Sequence, residues 1–335
     1  MYRGIKIKGF KSINDENIEL RPLTILTGLN STGKSTVLQS ILLVSKFCSN
    51  MGSVLLRDIE SSFIEIRNRY IKADTVSIEL LTDSENIKCY ISSESDLVTG
   101  VNPDDVELEK RLYYLSANRI GAEIFVKMDD TSKVGINGEF LFATFESEKS
   151  NQISLEAIES IQSYTLSSQL NYWLSHILDI KLELKTQTRS GNNVEVNFKS
   201  EMFDNISPFQ LGTGVSYLTK ILIMCLRSKP GDTLMIENPE IHLHPAAQSR
   251  LGEFFAFIMK SGVQLIIETH CEHLINRLQY EVFKGKISKD DIIIMYREAI
   301  QSDFKKIEIN KNGDFATDFP EGFFDATLDN LMEMM

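Results

Sequence analysis

The chain of 335 residues has few cysteines, a single tryptophan and no long apolar run. Its four cysteines form no C-x-x-C pair, a pattern typical of a reducing compartment. No stretch approaches the roughly 18 consecutive apolar residues that a membrane span requires. The first residues also lack the apolar segment of a secretory signal peptide. We therefore expect a cytoplasmic protein that has no membrane among its partners.

Positive charge is also scarce, with 35 lysines and arginines against 47 acidic residues and a formal net charge of -12. Phosphate backbones are bound by lysine and arginine, so this balance argues against nucleic-acid binding over the whole surface. A local basic patch stays open as an alternative. The basic residues that could form it lie in the C-terminal third: Lys284, Lys286, Lys289, Arg297, Lys305, Lys306 and Lys311.

The order of sequence patterns predicts an α/β fold. Short apolar segments within residues 2–27 indicate strands, and a helix follows from Lys34 to about Phe47. The last block alternates strands and helices, which indicates a mostly parallel sheet flanked by helices. Between these blocks, an amphipathic helix with Trp173 in its core face and a hairpin around Gly191 form an inserted α+β arm. The polar stretch 92–105 is predicted to be a loop.

The predicted domains are an N-terminal lobe over 1–119, the arm over 120–205 and a C-terminal lobe over 206–335.

A glycine-rich loop before the first helix matches the pattern G-x-x-x-x-G-K-S in full, from Gly28 to Ser35. Glycines let such a loop wrap around phosphates with its N–H groups pointing inward, and the next helix adds its positive N-terminal end. The lysine reaches the β and γ phosphates, and the serine hydroxyl binds Mg²⁺. We therefore predict a site for ATP with Mg²⁺, in which Ser35 is a metal ligand. The predicted nucleotide-binding residues of the loop are Asn30, Ser31, Thr32, Gly33, Lys34, Ser35 and Thr36.

An acidic strand end supplies the second part of this prediction. The apolar strand Leu234–Ile236 ends in Glu237, a carboxylate well placed to hold Mg²⁺ at the mouth of a parallel sheet. Hydrolysis also needs a group that orients the attacking water. Glu240 is the remaining acid here, and we assign it this catalytic role alongside Glu237.

A polar strand end, Thr269-His270, follows the next apolar strand. We expect it to face the γ-phosphate and assign His270 a catalytic role. The segment from Glu268 to His270 also fits an N-cap region for the helix that begins near Glu272, and both interpretations can hold together. A zinc site is a less favoured alternative, because no pair of candidate ligands has a finger-like spacing. Those ligands would be His242, His244, His270, Cys271 and His273.

These three motifs, in this order, resemble the ABC-like ATPase heads of the SMC, RecF and OLD families. The segments IKIKGFKSINDENIEL and GLNSTGKST look like their N-terminal lobe. ENPEIHLHP and ETHCEHL are similar to the Walker B, D-loop and switch-histidine regions of stand-alone bacterial AAA-type ATPases related to OLD. The resemblance implies an ABC-ATPase-like head with an N-terminal antiparallel β lobe, a mostly parallel P-loop core sheet flanked by helices, and an inserted α+β arm.

The resemblance also implies further site residues and a partner. In those families the polar residues after the first strand, here Lys11 and Ser12, lie near the nucleotide. A signature motif caps the ATP of the partner across a head dimer. LGTGVSYL is the matching segment, and its residues would be Gly212, Gly214 and Ser216. The expected partner is therefore a second copy of this chain, in a homodimer or higher homo-oligomer through the ATP-binding heads.

The acidic strand end departs from the family pattern. ABC-type heads usually carry aspartate where Glu237 stands and a catalytic glutamate where Asn238 stands, and an amide cannot accept a proton from water. Either Glu240 substitutes, or hydrolysis is slow and ATP acts mainly as a dimer clamp. The expected function is an ATPase whose dimerisation regulates a separately encoded effector, such as a nuclease in DNA repair or phage defence. The alternatives are a DNA-binding ATPase or DNA-end sensor, and a small-molecule P-loop kinase.

Overall fold

The computed structural model describes residues 1–50, 62–94, 96–99, 106, 108–155 and 163–317. Contacts divide the chain into two compact units. The first unit comprises Met1–Leu112, Ile266–Glu272 and Gln279–Met335, and the second comprises Tyr113–Leu265 and His273–Leu278.

The described residues contain strands β1 to β14 and helices α1 to α7. The strands are β1 (Tyr2–Phe10), β2 (Ile13–Glu19), β3 (Leu23–Gly28), β4 (Thr75–Thr82), β5 (Ile87–Ser92), β6 (Asp96–Thr99), β7 (Leu112–Leu115), β8 (Phe125–Lys127), β9 (Leu182–Arg189), β10 (Asn193–Ser200), β11 (Thr233–Glu237), β12 (Gln264–Glu268), β13 (Ile292–Arg297) and β14 (Lys305–Ile307). The helices are α1 (Lys34–Asn50), α2 (Phe63–Ile66), α3 (Leu141–Glu148), α4 (Leu166–Leu178), α5 (Thr213–Arg227), α6 (Pro245–Lys260) and α7 (Glu272–Phe283).

The first unit contains an antiparallel sheet with the strand order β2-β1-β4-β5-β6. Alternate residues of β1, among them Ile5 and Ile7, are fully buried, as expected for a strand with one covered face. The predicted loop over 92–105 is wrong for residues 96–99, which form β6 and pair with β5 so that Val98 lies opposite Cys89. Four residues are too few for alternation to stand out in a polar segment, and pairing with β5 decides their conformation. Residues 100–105 lie outside the described part.

The same unit contains the strand that leads into the glycine-rich loop. β3 is buried along its whole length, lies parallel to β13, and β13 pairs antiparallel with β14. The strand order from this edge is β14-β13-β3-β12. The end of β12 meets β3 where the Thr269 N–H donates to the Leu26 carbonyl oxygen at 3.0 Å. Continuous apolar runs of this kind are typical of parallel strands covered on both faces.

The second unit contains the described residues of 120–205, and their role as an inserted arm stays a prediction. Its antiparallel sheet has the order β8-β10-β9, and β11 lies next to β7. β9 and β10 form the predicted hairpin, with Arg189 opposite Asn193 and Gly191 at a φ of 77°. The predicted amphipathic helix is α4, where Trp173 is 4% exposed and its ring centroid lies 4.9 Å from that of Phe254. Trp173 is therefore a core residue, as predicted.

The predicted fold class is confirmed as mixed α/β, with antiparallel sheets and a sheet that contains parallel strands. The parallel pair places the glycine-rich loop at the carboxyl end of β3, next to the end of β13. Within the described ranges, no helix has both the length and the apolar character to cross a bilayer.

Candidate nucleotide-binding site

Two glycines shape the loop between β3 and α1. Gly28 has a φ of 133° and Gly33 a φ of 104°, values that residues with a side chain rarely adopt. A Cβ on Gly28 would lie 2.0 Å from the carbonyl oxygen of Arg297. One on Gly33 would lie 2.0 Å from Ser12 Oγ. The loop is therefore packed against the end of β13 and the turn after β1. A methyl group at Gly28 would meet backbone atoms, and one at Gly33 would require the side chains of Ser12 and Arg297 to shift.

We expect Gly28→Ala to destabilise the first unit by about 3 kcal/mol or more, because the new methyl group meets backbone atoms. The matched control is Gly285→Ala, since Gly285 has a φ of 67° but a Cβ there would meet nothing within 4 Å. The control carries only the cost of a left-handed backbone, roughly 1 to 2 kcal/mol. Thermal unfolding followed by circular dichroism measures both. Equal losses in the two variants would contradict the steric assignment.

The tip of the loop is exposed and its C-terminal part is buried. Asn30 and Ser31 are exposed, and Ser31 has a left-handed φ of 61°. Thr32 is 3% exposed, and its hydroxyl donates to the Leu29 carbonyl oxygen at 2.9 Å. The Thr36 N–H donates to the carbonyl oxygen of Gly33 at 3.2 Å, in the first turn of α1. Hydrogen bonds within the segment therefore set the shape of the loop.

Lys34, the first residue of α1, is 3% exposed. Its ammonium donates to the carbonyl oxygens of Gly28 at 3.1 Å and Leu29 at 2.5 Å. Burial lowers the pKa of Lys34, and the charge of Glu268 opposes that shift. A buried ammonium at a helix N-terminus makes this loop strongly favourable for an anion.

The Ser35 hydroxyl has an acidic partner that sequence reasoning missed. Ser35 Oγ donates to Glu268 Oε1 at 2.9 Å. Glu268 is the last residue of β12 and is 5% exposed. The sequence did contain a signal, because Glu268 is an acid at the end of an apolar strand. The sequence pattern assigned this residue to an N-cap region instead. The placement of β12 beside β3, which creates the contact, has no local signal.

Thr269 and His270 follow at the end of β12. The Thr269 hydroxyl accepts the N–H of Cys271 at 3.0 Å. Cys271 is itself the N-cap residue of α7 and makes no side-chain cap hydrogen bond, so the N-cap lies one residue beyond the predicted segment Glu268 to His270. Desolvation lowers the pKa of His270, and the positive charge of Lys34 lowers it further. The structure therefore brings His270 within electrostatic reach of Lys34. The catalytic role of His270 stays a prediction.

The two residues after β1 lie against the loop and α1. Ser12 Oγ is 3.4 Å from Thr36 Oγ1, and Lys11 Nζ donates to Gln39 Oε1 at 3.0 Å. Arg297, which is 2% exposed, donates from Nη2 to the carbonyl oxygen of Ser12 at 3.1 Å. Ser12 therefore lies beside the loop from Gly28 to Ser35, called the phosphate loop below, and Lys11 lies against α1. Their role in binding a nucleotide stays a prediction.

A polar cavity of about 220 Å³ opens beside Ser12 in the first unit. Its walls carry hydroxyl, amide and carboxyl groups. Burial raises the pKa of Glu16 in this wall, and the charge of Asp303 raises it further. The cavity is lined by Ser12, Asn14, Asp15, Glu16, Asn68, Tyr70, Ile71, Arg297, Gln301, Ser302 and Asp303. It offers hydrogen-bonding groups next to a residue that touches the phosphate loop.

In the second unit, the predicted acid Glu237 is held at both carboxylate oxygens. Oε1 accepts from the Tyr114 hydroxyl at 2.8 Å, and Oε2 accepts from the Ala117 N–H at 3.0 Å. Arg119 donates to the backbone just beyond, to the carbonyl oxygens of Glu237 at 2.7 Å and Asn238 at 2.6 Å. Asn238 has a φ of 40°, so the chain turns sharply at the end of β11.

Arg119 is a second residue to which sequence reasoning assigned no role, although its segment YLSANR is part of the resemblance. Its guanidinium is buried, with 3% of the residue exposed. Burial lowers the pKa of Arg119 to about 10, and the strongest opposing charge is that of Glu240. Glu240 therefore lies near this guanidinium. Its role in orienting water stays a prediction.

The signature-like segment begins α5. Gly212 is the N-cap residue and is exposed, and a Cβ on it would meet nothing within 4 Å. A Cβ on Gly214 would lie 2.3 Å from the carbonyl oxygen of His242, so the start of α5 packs on the segment that follows β11. Ser216 is fully buried. Of these predicted residues, Gly212 is the one exposed on a single chain.

The basic residues of the C-terminal third are partly neutralised. Lys286, Lys289, Lys305 and Lys306 each form an ion pair with an acidic side chain. Arg297 is 2% exposed and is surrounded by carbonyl oxygens. This pairing lowers the positive potential that a nucleic-acid surface would need. The basic-patch alternative gains no support from it.

A known protein family and a protein of known sequence are similar to this chain. A family model described as "AAA domain, putative AbiEii toxin, Type IV TA system" matches residues 23–276. The Old nuclease of Escherichia phage P2 is 23% identical over 343 residues, which cover 81% of this chain and 56% of that protein. The chain thus spans about half the length of this relative.

Two solved structures share the fold. A SmcHead bound to the C-winged helix domain of ScpA has a TM-score of 0.57 and 14% identity, with 92% of this chain and 98% of that chain covered. The Smc head domain with an extended coiled coil, bound to the C-terminal domain of ScpA from Pyrococcus furiosus, has a TM-score of 0.57 and 11% identity, with 99% of each chain covered. At these identities the likeness shows the fold alone, and it confirms the SMC head-like architecture.

Proposed function

Because the chain belongs to the family described as "AAA domain, putative AbiEii toxin, Type IV TA system", we propose that it binds and hydrolyses ATP with Mg²⁺ and that ATP joins two copies of it. The phosphate loop carries the proposal. Lys34 and Ser35 begin a helix of 17 residues behind a loop shaped by Gly28 and Gly33. Loop N–H groups, the helix N-terminus and a buried ammonium all favour the phosphates of a nucleotide.

The side chains around this loop fit Mg²⁺ and a nucleotide in their chemistry. Ser35 supplies a hydroxyl at the loop, an oxygen ligand of the kind that Mg²⁺ prefers. Glu237 belongs to the second unit, and its role as an acidic ligand stays a prediction. When bound, the ion would neutralise charge on the β and γ phosphates. Lys34 would bind the same phosphates, and Lys11 and Ser12 would lie beside them. The polar cavity next to Ser12 would take the nucleoside.

Hydrolysis is proposed to be slow. Asn238 carries an amide where a carboxylate would accept a proton from the attacking water. Glu240 and His270 are the proposed groups that orient this water. Since the pKa of His270 is lowered, its imidazole is neutral at pH 7 and can both donate and accept a hydrogen bond. ATP would therefore stay bound long enough to act as a clamp.

The exposed start of α5 supports the pairing of two copies. Gly212 has no side chain to keep a phosphate away, and it caps a helix whose N-terminal N–H groups favour an anion. Gly214 keeps this helix start close against the segment after β11. In the proposed dimer, the helix N-terminus of one copy lies over the γ-phosphate held by the other.

Sedimentation velocity with and without Mg-ATP tests this association. We expect the sedimenting mass of the wild type to double with Mg-ATP and that of Lys34→Ala to stay unchanged. Gly212→Asp separates binding from pairing: aspartate is a good N-cap residue, so α5 is retained, but its charge repels the partner's phosphates. This variant should bind ATP and stay monomeric. A wild type whose mass ignores Mg-ATP would contradict the dimer.

We further propose that the paired state regulates a separately encoded effector, such as a nuclease in DNA repair or phage defence. The support is the similarity to a nuclease of a phage and to SMC heads that are bound to ScpA. The kinase alternative leaves the signature-like segment without a role. The DNA-binding alternative is less favoured, because Lys286, Lys305 and Lys306 are paired with acidic side chains, which lowers the positive charge available to phosphates.

A further inference from the structure

The buried carboxylate of Glu268 lies close to the two side chains of the phosphate loop that are predicted to bind Mg-ATP, those of Lys34 and Ser35. Glu268 Oε1 accepts the Ser35 hydroxyl at 2.9 Å, and the charge of Glu268 acts on the Lys34 ammonium. Lys34 is 3% exposed and Glu268 5% exposed, so water screens this group of charges only weakly. All three residues belong to the first unit and lie at the ends of adjacent elements, β12 and α1.

The hydrogen bond from Ser35 does not by itself need a negative charge. The amide oxygen of a glutamine would accept the same hydroxyl without the cost of burying a carboxylate. The Lys34 ammonium, for its part, donates to the carbonyl oxygens of Gly28 and Leu29. An ion held by the Ser35 hydroxyl would lie next to Glu268 Oε1, where a carboxylate binds Mg²⁺ more strongly than an amide would.

We propose that Glu268 is a carboxylate of the Mg²⁺ shell, so that the end of β12 supplies an acid to the ion held by Ser35. The inference rests on the proposed binding of Mg-ATP at the phosphate loop. Mg²⁺ is commonly bound through one or two carboxylates together with phosphates and waters.

Glu268→Gln removes the negative charge and keeps the size and shape of the side chain. The affinity of each protein for AMP-PNP, a non-hydrolysable ATP analogue, is measured by calorimetry in EDTA and again in Mg²⁺. We expect Glu268→Gln to leave the affinity in EDTA unchanged or higher, because a negative charge near the phosphates is gone. The gain in affinity on adding Mg²⁺ should fall by about 10- to 100-fold.

Two further variants show whether the effect is specific to the charge at position 268. Glu281→Gln is the matched control, since Glu281 is another buried carboxylate of the first unit, 1% exposed and paired with Lys286 at 3.3 Å. It should keep the wild-type gain on adding Mg²⁺. Glu268→Asp retains the charge but draws it back by one methylene, so its gain should lie between those of wild type and Glu268→Gln. Glu268→Asp also serves as the test if the glutamine variant does not fold.

A direct readout of the metal accompanies the affinities. Free Mn²⁺ is followed by electron paramagnetic resonance in the presence of AMP-PNP, and Mn²⁺ should bind about 10- to 100-fold more weakly to Glu268→Gln than to wild type. A purely structural role predicts something else: equal losses of AMP-PNP affinity in EDTA and in Mg²⁺, with Mn²⁺ affinity unchanged. That result would overturn the inference. A wild type that binds no AMP-PNP would instead overturn the proposed function, and the inference with it.

Discussion

Lys34→Ala should abolish the rise in melting temperature that Mg-ATP gives to the wild-type protein. A ligand at 100 times its dissociation constant stabilises the folded state by about 2.7 kcal/mol, which raises the melting temperature by a few degrees. Each hydrogen bond to a charged group contributes about 1.5 to 3 kcal/mol. At the upper value the affinity falls roughly 100-fold and the remaining stabilisation is about 0.4 kcal/mol. The shift would then be too small to see.

The comparison is clean because the unliganded variant should melt close to the wild type. Burial lowers the pKa of Lys34, so the charged lysine is less favourable in the folded than in the unfolded state. This cost is present at neutral pH, below both pKa values, and fades as pH rises toward the unfolded value. Removing it offsets the two lost bonds to Gly28 and Leu29.

A lysine elsewhere in α1 provides the control. Lys46 is also buried, with 8% exposed, but it lies beyond the loop and the first turn of the helix. Lys46→Ala should keep the full shift with Mg-ATP, whatever its own melting temperature. The assignment of the site to Lys34 would be wrong if Lys34→Ala shifted as much as the wild type, or if Lys46→Ala lost the shift as well.

The phosphate loop could be predicted from sequence because all its requirements are local. The strand, the glycines, the lysine and the serine are contiguous, and each has its own stereochemical reason. The contact of Ser35 with Glu268 has none of these advantages. It depends on β12 lying next to β3 in the sheet, and strand order is fixed by packing of the whole unit, which no short pattern records.

The same reasoning explains the other differences between expectation and structure. β6 is a strand because it pairs with β5, although its own four residues carry too short a pattern. The resemblance identifies Gly214 as a site residue, but only the structure shows why it is glycine. A Cβ at this position would lie 2.3 Å from the carbonyl oxygen of His242. The hydrogen-bond partners of Arg119 are backbone carbonyl oxygens, which every residue has. The identities of the partner residues therefore give no signal that predicts these bonds.

Arg119→Ala should destabilise the second unit by about 3 to 5 kcal/mol, among the largest effects expected of a single substitution in this chain. The guanidinium donates to the carbonyl oxygens of Ser116 at 3.0 Å, Glu237 at 2.7 Å and Asn238 at 2.6 Å. Truncation leaves these acceptors without their donor in a buried place, at about 1 to 3 kcal/mol each. It also leaves a cavity beside the Tyr217 ring, over which the guanidinium lies at 5.5 Å.

The single tryptophan makes the measurement specific to this unit. Trp173 is buried in the second unit, so its fluorescence during urea unfolding reports that unit and no other.

Arg119→Lys should recover only part of the loss, because an ammonium cannot reproduce the fork that spans several carbonyl oxygens. Arg189→Ala removes a surface arginine that is 48% exposed and paired with Glu195, and it should cost less than about 1 kcal/mol. If Arg119→Ala cost no more than this control, the guanidinium would not be what fixes the turn at Asn238. The proposed position of Glu237 and Glu240 would then need another support.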